Sequence, residues 1–320
     1  MSRYGHNGGK VINLLAKVQE KPRKFKRMYA IETKNLTKRY GKVIGVKDLN
    51  LRIRTGEIFG FIGPNGAGKT TTIRLFLDLI RPTSGSAEIF GLDVNRHSEE
   101  IKKMIGYLPG EVFLPEHLTG KAIIGYYKGF KEKIDEKYLK NLISILSVDL
   151  GKKLREYSKG NKQKLAVVLA LMHQPRLLIM DEPTSGLDPV NQQEFYKMIL
   201  EAKSRGITIF LSTHVLNETE KVCDRVGIIK SGKLLKIEDI DDFKKKNIRQ
   251  IFVETAKTLP VGGLSKFNVK RIEKKPGGYE LTVSGKIGEL IREISKNQID
   301  DYRIYEPLLE EIFFHYYEKH

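Results

Sequence analysis

With one cysteine, Cys223, in 320 residues, the chain cannot form an intrachain disulfide, and a reducing, cytosolic compartment is expected. Cys223 stands in an apolar-periodic segment, so packing in a core is its expected use. Long hydrophobic runs are missing too. No stretch approaches the roughly 18 apolar residues that a membrane-spanning helix needs. The first 28 residues hold no apolar core of signal-peptide length; the best run there is 11–16. Acidic residues are scarce: 39 Asp and Glu face 57 Lys and Arg, a net charge of +18. Residues 1–28 set Arg3, Lys10, Lys17, Lys21, Arg23, Lys24, Lys26 and Arg27 against Glu20 alone. Such an excess suits nucleic acid or an anionic membrane surface, and equally a lysine-rich proteome. Segment 1–28 is low in periodicity and is expected to be a poorly ordered basic extension. Met28 opens a better-patterned segment and is an alternative start.

What is present is an ordinary globular balance, 40% hydrophobic and 30% charged. The length suits one large domain with a small one, or two domains. Within it, Gly63-Pro64-Asn65-Gly66-Ala67-Gly68-Lys69-Thr70-Thr71 fits the phosphate-binding loop G-x-x-x-x-G-K-[ST]. It follows the apolar run Ile58-Phe59-Gly60-Phe61-Ile62, read as a buried strand, and opens a helix over Thr72-Ile73-Arg74-Leu75-Phe76-Leu77. That strand–loop–helix context is what the motif requires. Backbone N–H groups can turn in around phosphate oxygens, and the helix aims its positive end there. Lys69 can reach the β/γ-phosphates and Thr70 can hold Mg²⁺.

From 29 to about 91 the chain reads as short strands ending in this loop and its helix. Residues 92–172 read as mostly helical. Then strand (177–180), helix (191–204), strand (207–211), helix (215–223) and strand (226–229) alternate, followed by a Ser231-Gly232 turn and a last strand. Alternation implies a parallel α/β sheet, with 92–172 inserted as a helical subdomain. After Glu238-Asp239-Ile240-Asp241-Asp242 the composition shifts. Strand-like pieces at 251–254 and 279–283, a helix over 286–296 and a closing helix opened by Pro307 read as a small α+β domain. Leu308, Leu309, Ile312, Phe313 and Tyr316 give that closing helix one apolar face.

Three further features carry chemistry. The strand 177–180 ends in Asp181-Glu182, at the strand end where open α/β sheets place ligands. The first carboxylate suits Mg²⁺, a hard ion that prefers oxygen. The second suits orienting or deprotonating a water. Alone, the pair would be an ordinary loop. Tyr157-Ser158-Lys159-Gly160-Asn161-Lys162-Gln163 precedes the helical stripe Leu165, Val168, Leu169 and Met172, with Ser158 placed as N-cap. That is a second anion site or simply a capped helix. His214 follows the strand 207–211 and can sense a γ-phosphate, although a lone histidine is usually structural.

In this order and spacing, the phosphate loop 63–71, the 157–161 segment, Asp181-Glu182, Ser185-Gly186-Leu187-Asp188 and His214 resemble the nucleotide-binding subunits of ABC transporters, over about residues 29–236. The resemblance implies a P-loop NTPase core of class α/β, with an inserted helical subdomain, an antiparallel β-subdomain and a C-terminal α+β accessory domain. The expected divisions are 1–28, 29–238 (helical subdomain about 92–172) and 239–320. It also implies an ATP hydrolase. Two copies would dimerise head to tail, each ATP held between one copy's loop and the other's signature residues Ser158, Lys159, Gly160 and Asn161. Tyr40 would stack on adenine, or else pack a strand end. Lys69 would bind phosphates, Thr70 and Asp181 would hold Mg²⁺, Glu182 would be the base and His214 would contact the γ-phosphate. Asp188 would couple the two sites.

Two departures stand out. The signature usually reads Leu-Ser-Gly-Gly-Gln; here Tyr157 and Lys159 replace two members and Asn161 the last. At Gly110 the family normally has a glutamine that touches Mg²⁺ and links the site to the membrane subunit, a role that Glu111 or water is left to fill. These variants, with the C-terminal extension, resemble the drug- and antibiotic-exporter branch. The expected partners are a second copy and a separate integral-membrane permease, on the cytoplasmic face of the cell membrane. The alternative is a soluble ABC ATPase acting on nucleic acid or ribosomes. Against it stand one nucleotide-binding domain per chain, only about 85 residues between loop and signature, and no aromatic–basic stacking platform, so no nucleic acid is expected. The C-terminal domain can also regulate or dimerise.

Overall fold

The computed structural model describes residues 28–130, 134–185, 187–245, 248–259, 264–284, 287–296 and 299–305. In chain order the strands are β1 (Tyr29–Tyr40), β2 (Val43–Leu49), β3 (Arg52–Arg54), β4 (Ile58–Ile62), β5 (Ser84–Ile89), β6 (Leu92–Asp93), β7 (Ile105–Leu108), β8 (Leu177–Asp181), β9 (Thr208–Thr213), β10 (Arg225–Lys230), β11 (Lys233–Asp239), β12 (Ile248–Glu254), β13 (Val269–Lys275), β14 (Gly278–Ser284) and β15 (Asp301–Tyr305). The helices are α1 (Lys69–Phe76), α2 (Ser98–Met104), α3 (Gly120–Lys128), α4 (Glu136–Leu146), α5 (Lys159–Leu171), α6 (Pro189–Ser204), α7 (Leu216–Val222), α8 (Ile240–Lys245) and α9 (Gly288–Ser295).

The central sheet runs β11-β10-β4-β9-β8-β7. Every neighbouring pair in it is parallel except β10 and β11, which form an antiparallel hairpin. Its inner strands β4, β8 and β9 are buried along their whole length, as a covered parallel sheet demands. Ile58 and Ile62 of β4 join one apolar cluster with Ile209, Leu211, Leu178 and Met180. Phe59 and Phe61 join the other with Phe210, Phe76, Leu177 and Ile179. The first cluster takes in the helical segment; the second takes in the antiparallel sheet β2-β1-β5-β6, with β3 also paired to β1. Cys223 is buried, and burial pushes its thiol pKa up, so it packs rather than reacts.

A third sheet, β13-β14-β12-β15, is antiparallel throughout and has its own cluster around Ile251, Val253, Leu281, Val283, Leu290 and Ile294.

Within 92–172, expected to be mostly helical, the structure adds two strands. β6 pairs with β5, and β7 is the edge of the central sheet, hydrogen-bonded in register to β8. A four-residue strand containing Gly106 is too short to show a period. The helices of this segment are α2, before β7, and those that lie between Gly120 and Leu171. Helix 191–204 begins two residues earlier, because Asp188 caps it and Pro189 takes the first turn. β13 and β15 were not expected; their sequences alternate weakly, and pairing with β14 and β12 selects them. The 1–28 extension, all but Met28, and the closing helix from Pro307 lie outside the described residues.

Candidate functional site

The phosphate loop leaves β4 and enters α1 as its pattern requires. Gly68 caps α1 with φ 109°, left-handed backbone that glycine adopts without strain. A Cβ there would sit 2.4 Å from the Gly45 carbonyl oxygen of β2, so the loop is also walled in. On its other side the β10–β11 turn closes against it. Gly232 N–H donates to the Ala67 carbonyl at 2.9 Å, and Lys47 N–H donates to the Gly232 carbonyl at 2.7 Å. The Tyr40 ring borders the same place: a Cβ on Gly45 would meet it, and the Thr71 side chain, at 3.0 Å. The ring is half-exposed, with Lys38 Nζ 5.3 Å from its centroid.

Lys69 is 5% exposed. Its Nζ donates to the Gly63 carbonyl at 2.7 Å and the Pro64 carbonyl at 3.2 Å, and lies 3.2 Å from Glu182 Oε1. Glu182 Oε2 lies 3.2 Å from His214 Nδ1. One carboxylate thus joins the loop lysine to the histidine at the end of β9. Next to it, Thr70 Oγ1 donates to Asp181 Oδ2 at 2.8 Å, and the Ser212 hydroxyl donates to Asp181 Oδ1. Glu182 has φ 45°, uncommon for a residue with a Cβ. Its N–H is held by Ser212, donating to the carbonyl at 3.0 Å.

The Thr70–Asp181 pair supplies the all-oxygen donors that magnesium prefers. Among the described residues no group of three or more His, Cys, Asp or Glu side chains converges on a metal position. An ion here would therefore take its remaining ligands from phosphate and water, as magnesium usually does. The residues fit the ion.

The family resemblance implies glutamine at 110, but here the absence of a side chain has a local reason. A Cβ on Gly110 would lie 2.9 Å from the Asp181 carbonyl oxygen and 3.8 Å from Glu182 Cβ. The loop after β7 thus presses its bare backbone on the main chain of the Asp181-Glu182 turn, while Glu111 is exposed. Gly110→Gln should displace the Asp181-Glu182 turn and lower kcat for ATP by roughly tenfold or more. Steady-state kinetics check this; an unchanged kcat would mean that the turn yields freely.

The signature residues lie elsewhere. Ser158 caps α5 by accepting the Asn161 N–H at 3.2 Å. Ser158, Lys159 and Asn161 are exposed. A Cβ on Gly160 would face Asn191 Nδ2 at 3.7 Å and Leu187 at 3.9 Å. Asp188 accepts the Asn191 N–H at 2.9 Å, and that bond holds its carboxyl below the usual range. Signature and Asp188 loop are therefore neighbours in one chain; Gly186 lies outside the described residues. Tyr157, the departure from leucine, is buried and donates its hydroxyl to the Asp149 carbonyl, so the larger ring gains a partner.

Sequence reasoning missed three contributors. Ser212, whose hydroxyl donates to Asp181, follows the strand 207–211 with no motif to mark it. Gln163, on α5, donates from Nε2 to the Pro183 carbonyl at 2.7 Å and steadies the loop after Glu182. Glu218, buried in α7, had no motif to mark it.

A parallel sheet with a phosphate loop after one strand, and paired acids at the end of another, defines a P-loop nucleotide-binding ATPase. A family model described as ABC transporter matches residues 46–185. Bacitracin transport ATP-binding protein BcrA of Bacillus licheniformis is 45% identical over 227 residues, 68% of this chain and 72% of that protein. Probable multidrug ABC transporter ATP-binding protein YbhF of Escherichia coli (strain K12) is 36% identical over 223 residues, 68% of this chain and 38% of that one. A bacterial ABC transporter cassette, MJ0796, solved as a dimer, shares the fold at a TM-score of 0.60 and 24% identity, covering 66% of this chain and 98% of that one. The chain belongs to the ATP-binding proteins of ABC transporters, and is an ATP hydrolase of that family.

Proposed function

We propose that two copies of the chain close head to tail around two ATP molecules and drive a separate integral-membrane permease from the cytoplasmic face of the cell membrane, in the direction of export. The observation that carries the chemistry is the continuous set Lys69–Glu182–His214 beside Thr70–Asp181. Glu182 is the general base: a carboxylate held between a lysine and a histidine can orient a water and take its proton. Lys69 turns from the loop carbonyls to the phosphates, and His214 contacts the γ-phosphate. Magnesium, when bound, neutralises phosphate charge; Thr70 and Asp181 would hold it. Tyr40 offers its half-exposed ring to the base.

The two-copy reading is supported by the exposed cap at Ser158, Lys159 and Asn161, an anion site open to a second chain. Segment 29–238 is the motor in this reading, and 239–320, which includes the separate third sheet, is the accessory part. No described helix is long and apolar enough to cross a membrane. A face for the permease is supplied by Phe113, on the loop after Gly110, and by the exposed rings Tyr126 and Phe130, packed edge to face at 5.0 Å. The export direction and the drug class rest on the relatives named for bacitracin and multidrug transport.

The test is complementation. Lys69→Ala and Ser158→Arg chains should each be inactive alone. Mixed in equal amounts they should recover about a quarter of the normal rate, because half of the dimers are mixed and each keeps one of two composite sites. A mixture as inactive as its components would sink the head-to-tail arrangement.

A further inference from the structure

Glu218 is a buried carboxylate, 4% exposed, on α7, outside every motif that marks this site. One of its oxygens accepts the Thr184 hydroxyl; the other accepts the Thr213 hydroxyl at 3.0 Å. Both threonines are themselves buried. Their places in the chain give the arrangement its meaning. Thr184 lies two residues after Glu182, and Thr213 immediately precedes His214. Thr213 Oγ1 also accepts the Val215 N–H at 2.9 Å, which fixes the turn that carries His214. Tyr196 of α6 lies close by: burial and the Glu218 carboxylate raise its hydroxyl pKa, so the phenol stays protonated beside the carboxylate. The same Glu182 loop is tied from the far side by Gln163 through the Pro183 carbonyl.

We propose that Glu218 is a positioning residue for ATP hydrolysis, acting through Thr184 and Thr213 to set Glu182 and His214 in register. It touches neither acid nor histidine. Its two oxygens clamp the two loops that deliver them, and the 3.2 Å contact between Glu182 and His214 is the result. A carboxylate suits this task because it accepts several hydrogen bonds in fixed directions and donates none. Catalytic groups lose effect when their supports allow displacements of even 1 Å. The proposal rests on Glu182 being the base, as argued above.

The test uses the full chain with Glu218→Ala, Glu218→Gln or Thr184→Val, beside Glu182→Gln. kcat, KM, affinity for a fluorescent ATP analogue and the urea midpoint are measured for each. Glu218→Ala should lower kcat roughly 10- to 100-fold while nucleotide affinity stays within about threefold. Glu218→Gln should recover most of the rate, since its amide oxygen accepts one hydroxyl and its NH₂ can donate to the other. Thr184→Val should lose rate in the same pattern, and it decides the matter if Glu218→Ala does not fold. A folded Glu218→Ala or Thr184→Val chain with the normal kcat overturns the proposal. So does a loss that lies entirely in nucleotide affinity. If Glu182→Gln hydrolyses ATP normally, the base assignment fails instead, and with it any action of Glu218 through that residue. If Glu182→Gln is inactive while Glu218→Ala is folded and fully active, only the positioning role fails.

Discussion

Glu182→Gln should stop turnover while leaving ATP bound, with hydrolysis falling roughly 10²–10⁴-fold, the contribution of a positioned general base. Glutamine keeps the shape and an oxygen, so the left-handed backbone at 182 and its N–H bond to Ser212 need not change. What it lacks is the negative charge. It can no longer take a proton from water or form the ion pair with Lys69 at 3.2 Å. Loss of the pair should free Lys69 for the phosphates, so ATP affinity should hold or rise. With ATP and magnesium the variant should accumulate as a dimer, because closure persists when hydrolysis cannot reverse it. Steady-state hydrolysis and light scattering with and without ATP read both effects. Normal hydrolysis would remove Glu182 from the role of base. Lost activity with no ATP-dependent dimer would separate chemistry from closure.

Phe210→Ala should carry the largest stability loss, about 3–5 kcal/mol for a buried phenylalanine truncated to alanine. Phe210 is fully buried on the central strand β9. Its ring lies 5.4 Å from Phe61 and 6.3 Å from Phe59, both on the strand that ends in the phosphate loop. Phe76, at 5.4 Å and edge-on, comes from the helix that begins the other end of that loop. One ring thus packs against both the strand and the helix that flank the nucleotide loop. The cavity should therefore weaken nucleotide binding as well as the fold. Urea unfolding followed by fluorescent-nucleotide release and by circular dichroism checks this. If the third sheet unfolds on its own, the transition of its separate core should stay where it was. A midpoint shift worth less than about 1 kcal/mol would mean that the neighbours collapse into the gap.

Much of the site could be read from the chain because its chemistry is local. A phosphate loop needs glycine, lysine and threonine within nine positions. Strand β8 ends on the two acids that the magnesium and base roles require. Where function depends on contacts between distant segments, the sequence offered less. Nothing in the string Leu216-Asn217-Glu218 says that a carboxylate there will meet hydroxyls 34 and 5 positions away. Gly110 looks like a lost glutamine in one dimension. In three, it is the point where one loop rests on the Asp181 carbonyl. The short strand β7 escaped notice for a related reason: four residues cannot display a period, and its pairing with β8 is what makes it a strand. β13 and β15 were missed because an edge strand with charged or exposed side chains has little apolar alternation to show.

The tight turn at Ser231 and Gly232 has both residues at positive φ, 48° and 78°. Such surface hairpin tips are ordinarily the first places to graft a peptide tag or open new chain ends. This one is unsuitable. Its glycine bonds at once to Ala67 inside the nucleotide loop and to Lys47 on β2. An insertion there would pull two strands and the loop apart, although by sequence the turn lies more than 150 residues from Lys69. For labelling or permuting this protein, the hairpin tip belongs with the nucleotide site.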